Sequence, residues 1–249
     1  MIRKRTIEKI ELIHKLVWDQ KKKILVILAH PDDPEFFCGA TLAKWALEGH
    51  SIQYCILTRG ERGTNDHFSY SKEIKNIREA EQNRAAAVIG AREVIFLDEP
   101  DGFVHVSDDL KRTLVKMMRQ YKPNIVVSCD PRTYLIHGNV INHPDHRAAG
   151  QAVFDCIFPA VQNEDFYPDL KQEGIQPHQV EELWLSLTSQ PDIYMDVTKT
   201  WHIKIEALLQ HSSQIAQPHL FQDRMTKRTS FIQFKRRYIE SFKRIHISH

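Results

Sequence analysis

Lys23-Ile24-Leu25-Val26-Ile27-Leu28-Ala29-His30-Pro31-Asp32-Asp33 is the stretch on which the fold turns. The apolar run Ile24 to Leu28, bounded by Lys23 and a His-Pro pair, has the continuous hydrophobicity of a strand covered on both faces. Downstream, Gly39 to Leu47 reads as a helix ended by Gly49, and Ile52 to Leu57 as a second strand. The alternation repeats: helix Lys72 to Ile89 stopped by Gly90, strand Val94 to Leu97, helix Asp108 to Tyr121 before Pro123, strand Ile125 to Ser128, and a helix from Pro144 to Ile157. Short apolar strands separated by helices define an α/β fold, a Rossmann-like, mostly parallel sheet with helices on both faces. In such sheets ligands bind beyond the carboxyl ends of the strands.

Upstream, Ile7, Ile10, Leu12 or Ile13, and Leu16 or Val17 recur at helical spacing and predict an amphipathic opening helix. Beyond the alternating region the pattern loosens into a polar loop over 159–180, strands near Leu183 to Leu187 and Ile193 to Met195, helix Lys199 to Gln210, and a final helix from Phe231 to Ile245. The loop reads equally as a substrate wall or as a surface insertion. The expectation is one domain over 1–249, with helical extensions at 1–22 and 211–249.

Two patches place metal-competent side chains directly after apolar strands. They are His30-Pro31-Asp32-Asp33 and His143-Pro144-Asp145-His146, and the topology brings both loops to one edge of the sheet. A catalytic zinc takes three nitrogen or oxygen ligands and keeps one position open. His30, Asp33, His143 and His146 supply such a site with one group to spare. Asp32 is then the natural acceptor for the proton of an attacking water, and a protonated His143, held by Asp145, can donate to an oxyanion and to a leaving amine. That set describes metal-assisted amide hydrolysis. Cys129 lies near the same strand end but reads as core.

The bulk numbers exclude other classes. A chain of 249 residues with 42% hydrophobic and 27% charged residues is an ordinary globular one. A net charge of +2 gives no reason to expect a nucleic-acid partner, and the basic residues after Arg224 read as a solvated or subunit-contacting face. No apolar run reaches the roughly 20 residues that span a bilayer, and the start lacks the form of a signal peptide, so the expected location is cytoplasmic. Cys38, Cys55, Cys129 and Cys156 are widely spaced and read as reduced thiols.

With these residues in place the sequence resembles the PIG-L/LmbE-like N-acetylglucosaminyl deacetylases. Their two hallmarks look like Ala29-His30-Pro31-Asp32-Asp33 and His143-Pro144-Asp145-His146. Thr58-Arg59-Gly60-Glu61-Arg62-Gly63 resembles the family's T-x-G-E-x-G turn, Arg78 and Glu81 its R-x-x-E helix closed by Gly90, and Asp101-Gly102 and His211-Ser212-Ser213-Gln214 two further motifs. The resemblance implies zinc ligands His30, Asp33 and His146, a general base Asp32, an oxyanion-stabilising His143, and Arg78 and Asp101 on the sugar hydroxyls. It also implies an N-acetylated sugar as substrate and assembly as a trimer or hexamer, with Phe231, Phe234 and Phe242 available for contacts. The opening helix, the long 131–142 segment and Tyr238 to Arg244 resemble the branch of archaeal diacetylchitobiose deacetylases. An amidase of a thiol conjugate, or a silent carbohydrate- or metal-binding protein of the same fold, are the competing expectations.

Overall fold

The computed structural model describes residues 12–13, 18–63, 71–136, 138–232 and 235–247. In chain order the elements are β1 (Leu12–Ile13), β2 (Lys23–Leu28), α1 (Asp33–Leu47), β3 (Ser51–Ile56), α2 (Ser71–Ile89), β4 (Glu93–Phe96), α3 (Asp108–Tyr121), β5 (Ile125–Cys129), β6 (Leu135–Ile136), β7 (Val140–Ile141) and α4 (Pro144–Asp155). After a wide helical turn over Cys156–Ala160 come α5 (Pro168–Gln172), β8 (Glu182–Ser186), β9 (Ile193–Asp196), α6 (Trp201–Leu208), α7 (Pro218–Thr226), β10 (Ser230–Ile232), β11 (Lys235–Arg237) and β12 (Ile239–His246).

The main sheet has the strand order β1-β9-β12-β8-β5-β2-β3-β4. β2 pairs in parallel with β3 and β5, and the parallel pairing continues to β4 on one side and β8 on the other. Alternate residues of β2 feed two separate cores. Ile24, Val26 and Leu28 pack with the apolar faces of α1, α2 and α6, whereas Leu25, Ile27 and Ala29 pack with those of α3 and α4. Burial on both faces is why the strand carries no polar alternation. Trp18, Trp45, Trp184 and Phe242 meet edge to face in the first core.

The expected final helix over 231–245 is not formed. This segment is instead the β10–β11 hairpin and β12, which enters the sheet antiparallel between β8 and β9. Glu240 and Phe242 face inward, so Phe242 is wholly buried and unavailable for subunit contacts. Glu240 carries a charge into the core because Lys204 meets it at 2.6 Å. Its carboxylate also accepts the N–H groups of Ala40 and Thr41, while Lys204 Nζ donates to Phe36 O. An α-helix pairs Ala40 N–H with Phe36 O, so the ion pair reaches the backbone groups at both ends of one helical bond.

The expected opening helix lies outside the described residues apart from Leu12 and Ile13, which pair in parallel with Tyr194 and Met195 as β1. Among its described residues the 211–249 extension is helical only over α7. The loop over 159–180 folds onto α3, where the buried Arg119 donates to the carbonyls of Ala160, Val161, Asn163 and Phe166. It is a surface insertion and contributes nothing to the cleft described below. All four cysteines are free and buried, and no helix among the described residues is long and apolar enough to cross a membrane.

Candidate active site

Chain connections run from β2 outward to β3 and β4 on one side and to β5 on the other, so the carboxyl ends of β2 and β5 border a topological switch point. Both hallmark patches sit there. Pro34 and Pro144 each occupy the first turn of their helices, α1 and α4, and the His143 ring caps α4 by accepting the N–H of Asp145. Gly150 lets α4 settle onto β5, since a Cβ there would lie 2.2 Å from Cys129 O. The patches converge as the topology requires: the ring nitrogens of His30, His143 and His146 lie within 4.8 Å of one another.

Partners fix which nitrogen of each ring is free. His30 Nε2 faces Asp101 Oδ1 and Asp145 Oδ2, both at 3.2 Å, and must carry the proton. His146 Nδ1 lies 2.9 Å from Asn142 Oδ1, which places its proton there. The remaining nitrogens, His30 Nδ1 and His146 Nε2, then both face the Asp33 carboxylate, at 3.4 and 3.2 Å. Two ring lone pairs against one carboxylate repel unless a proton or a cation lies between. Imidazoles oriented by outer carboxylate or amide oxygens around a third carboxylate form the donor set of a divalent metal site. The electrostatics agree. Burial lowers the pKa of His30, but Asp33 and the bonds to Asp101 and Asp145 overcome it and raise the ring to about 12. Asp33 is held well below the carboxylate range: burial opposes this, and His146 and His30 outweigh it.

Asp32 occupies a left-handed backbone conformation, φ 86°, which costs a non-glycine residue about 1–3 kcal/mol and recurs at functional sites. Its N–H is fixed by Gln82 Oε1 at 2.7 Å, and Gln82 Nε2 donates in turn to Glu35, whose carboxylate also meets His211 Nε2 at 3.2 Å. On the outer side Arg78 donates to Pro31 O, to Gly60 O and to Asp32 Oδ2 at 3.3 Å. Burial raises the Asp32 pKa to about 6, against the pull of Arg78.

Comparison with known proteins settles the lineage. The sequence pattern of the PIG-L family, described as GlcNAc-PI de-N-acetylase, matches residues 25–157, just over half of the chain. This chain belongs to the PIG-L family. It is 29% identical over 197 residues to the diacetylchitobiose deacetylase of Thermococcus kodakarensis, covering 78% of this chain and 70% of that one. The structure of N,N'-diacetylchitobiose deacetylase from Pyrococcus horikoshii superposes with a TM-score of 0.80 at 25% identity, over 92% of this chain and 85% of the other. A relative with another name is the 4-oxalmesaconate hydratase of Pseudomonas putida, 28% identical over 217 residues and covering 81% and 76% of the two chains. The enzyme class that membership gives this chain is N-deacetylase.

The PIG-L motifs acquire physical meaning in the structure. Gly60 and Gly63 make room for Arg78: a Cβ at either would lie 2.2 or 2.3 Å from its Nη1. Glu81 accepts from Ser212 Oγ, Ser213 N and Ser213 Oγ, and Gln214 Nε2 donates to Gly63 O, so two motifs distant in sequence close on each other. Asp101 takes the N–H of Arg62 at 2.8 Å as well as His30.

Every site residue expected from the sequence is present here. His30, Asp32, Asp33, Arg78, Asp101, His143 and His146 line one cleft of about 510 Å³ with Phe36, Phe37, Arg62, Gly63 and Gly102. Asp145 lies beneath it, and differs from its expected use. Its carboxylate holds His30 and accepts the N–H groups of Gly102 and Val104, while His143 Nδ1 is 4.0 Å away. Burial, then the charge of His30, lowers the His143 pKa, so that ring is neutral with its proton on Nε2. Gln82, Glu35 and Asn142 were not legible as site residues. Asn142 directly precedes the second patch, a position that marks it in retrospect.

Proposed function

We propose that this chain is a zinc-dependent deacetylase of an N-acetylglucosamine-type sugar, with the metal held by His30, Asp33 and His146. The observation that carries this reading is the pair of ring nitrogens, His30 Nδ1 and His146 Nε2, turned onto one Asp33 carboxylate with Asp32 beside it in the same cleft. Zinc bound there supplies Lewis acidity toward an amide carbonyl and makes a water more acidic.

The chain's own residues do the rest. Asp32, with a pKa raised to about 6, is ionised at neutral pH yet basic enough to take a proton from the attacking water. His143, neutral, with Nδ1 engaged by the Asp145 N–H, offers Nε2–H to the oxygen that becomes negative as the amide carbon turns tetrahedral. The proton held by Asp32 then passes to the departing amine, leaving acetate and a free amino sugar. Asp101 and Arg78, on the cleft wall, are assigned to the sugar hydroxyls, an acceptor and a donor fork suited to a polyol. Assembly as a homo-oligomer belongs to the same reading and is measured by sedimentation.

The test is acetate release by zinc-loaded protein from N-acetylglucosamine, diacetylchitobiose and an N-acetylglucosaminyl conjugate, beside Asp32→Asn. Turnover that falls by about 10²–10⁴ in a variant still binding zinc is the expected result. The Pseudomonas relative supports a second reading, in which the same site adds water to a different substrate. Bound zinc with no acetate from any of the three compounds moves the assignment there or to a silent binding protein.

A further inference from the structure

Arg78 and Gln82 stand one turn apart on α2 and grip Asp32 from two sides. Arg78 meets the Asp32 carboxylate at 3.3 Å, and Gln82 Oε1 accepts the Asp32 N–H at 2.7 Å. The second bond fixes the direction of the chain of bonds behind it. A backbone N–H only donates, so the oxygen of the Gln82 amide faces Asp32 and its NH2 faces Glu35, 3.1 Å from both carboxylate oxygens. The His211 ring closes the far side of Glu35, with Nε2 3.2 Å from Oε2. Gln82, Glu35 and His211 are all wholly buried, so bulk water does not reach these bonds. His211 Nδ1 has no polar partner among the described residues, which leaves Glu35 as the group toward which the ring's polarity is directed.

His211 reaches Glu35 through the turn that follows α6, and that turn is itself tied to α2. Ser212 Oγ, Ser213 N and Ser213 Oγ all donate to Glu81, the residue before Gln82. The 211–214 turn therefore holds α2 at Glu81 and, through Glu35, the Gln82 amide as well. At the other end of the chain of bonds, the Asp32 carbonyl accepts the N–H of Phe36 at 2.9 Å as α1 begins. With the Asp32 N–H held by Gln82, the peptide units on both sides of its Cα are fixed. A non-glycine residue keeps φ 86° only where its surroundings over-determine it in this way.

We propose that His211 is a positioning residue for the reaction: through Glu35 and Gln82 it holds the peptide ahead of Asp32, and with it the direction in which the Asp32 carboxylate enters the cleft. The assignment rests on reading Asp32 as the base of a zinc-dependent hydrolase. Without the ring nitrogen Glu35 is buried with a partner missing, an expensive state that it relieves by turning. The Gln82 amide follows its acceptor, and the Asp32 N–H loses the oxygen that holds it.

The experiment reads the Asp32 N–H directly, by amide hydrogen exchange followed by NMR on the zinc-loaded protein, in wild type, His211→Phe and His211→Gln. Phenylalanine keeps a ring and removes its nitrogens; glutamine places an amide nitrogen near the position of the imidazole Nε2. The Asp32 amide is expected to exchange at least about tenfold faster in His211→Phe and near the wild-type rate in His211→Gln. The control is the Leu57 N–H, bonded to Leu28 O at 2.9 Å at the neighbouring strand ends, whose rate stays unchanged. In acetate release, kcat falls at least about tenfold in His211→Phe with KM altered less than about twofold, and glutamine restores it. A purely structural role would speed exchange at Leu57 and Asp32 alike and leave kcat per folded molecule intact. Should His211→Phe not fold, Ser213→Ala, which removes one of the bonds from the turn to Glu81, is expected to speed Asp32 exchange selectively, to a smaller extent. Unchanged protection of Asp32, equal loss at Leu57, or full kcat in a variant whose Asp32 amide exchanges fast would overturn the proposal. Absence of acetate release from the wild type would sink only the reading of the cleft, because the exchange rates are measured without turnover.

Discussion

Replacing Gly63 by alanine separates geometry at Asp32 from stability of the fold. The new Cβ would lie 2.3 Å from Arg78 Nη1 and 3.4 Å from Gln214 Oε1, and Gly63 has no positive φ to strain. The guanidinium must therefore move. It then loses its 2.9 Å bond to Gly60 O and slackens its 3.3 Å contact with Asp32. A hydrogen bond from a charged group contributes about 1.5–3 kcal/mol, and about 1.36 kcal/mol in a barrier is tenfold in rate. The expected loss of kcat is about ten- to a hundredfold. Gly49→Ala is the opposite control: φ is +87° there and the nearest atoms belong to the end of the flexible Lys21 side chain. Left-handed strain costs about 1–2 kcal/mol, a Tm lower by about 2–8 °C for a domain of this size, with kcat per folded molecule unchanged. Gly60→Ala, with φ +65° and a Cβ 2.2 Å from Arg78, combines both effects. Acetate release at 25 °C beside thermal melts reads the two axes. Full turnover by Gly63→Ala, or equal loss of turnover in Gly49→Ala, would refute the reasoning.

Gln82→Leu removes the acceptor of Asp32 N–H and the donor to the buried Glu35; each stranded group costs about 1–3 kcal/mol, so Tm falls and kcat falls more than KM rises. Chelation should lower Tm in the wild type, by an amount restored by zinc in proportion to ligand excess, and leave Asp33→Ala unmoved; an equal shift in both proteins rules out the assigned ligand. Glu182 is buried, which raises its pKa, but its bonds to Arg244 and Trp184 win and hold it below the ordinary carboxylate range. With a lowered folded pKa its stabilisation is present above the unfolded value and lost as pH falls through the folded one. Wild type should therefore exceed Glu182→Gln in urea stability at pH 7, and the gap should close toward pH 3.

The parallel strands and the metal loops were legible because each is a local pattern. A continuous apolar run followed within a few residues by His-Pro-Asp requires no knowledge of what packs against it. β12 was misread for the opposite reason. Its inward residues are Glu240 and Phe242, and a buried glutamate destroys the alternation of a strand unless Lys204, on another element, is known to meet it. Gln82 and Glu35 were hidden in the same way, because each joins the site through a partner on another element. Asp145 shows a subtler limit. Its place next to His143 in sequence suggested a partnership, whereas the helix start turns its carboxylate toward His30 and gives His143 only its backbone N–H.

The ion pair set into α1 has a consequence for the order of events during synthesis. The helix that presents Asp33 is made early, yet the carboxylate that accepts the N–H groups of Ala40 and Thr41 belongs to Glu240, about two hundred residues later on the ribosome. A nascent chain that has assembled β2 to α4 therefore holds both hallmark loops beside a helix whose Ala40 and Thr41 N–H groups still lack the Glu240 carboxylate. Insertion of β12 between β8 and β9 supplies it, so the helix that follows the first hallmark loop gains its last buried partner only when the strand that joins the two parts of the sheet is in place.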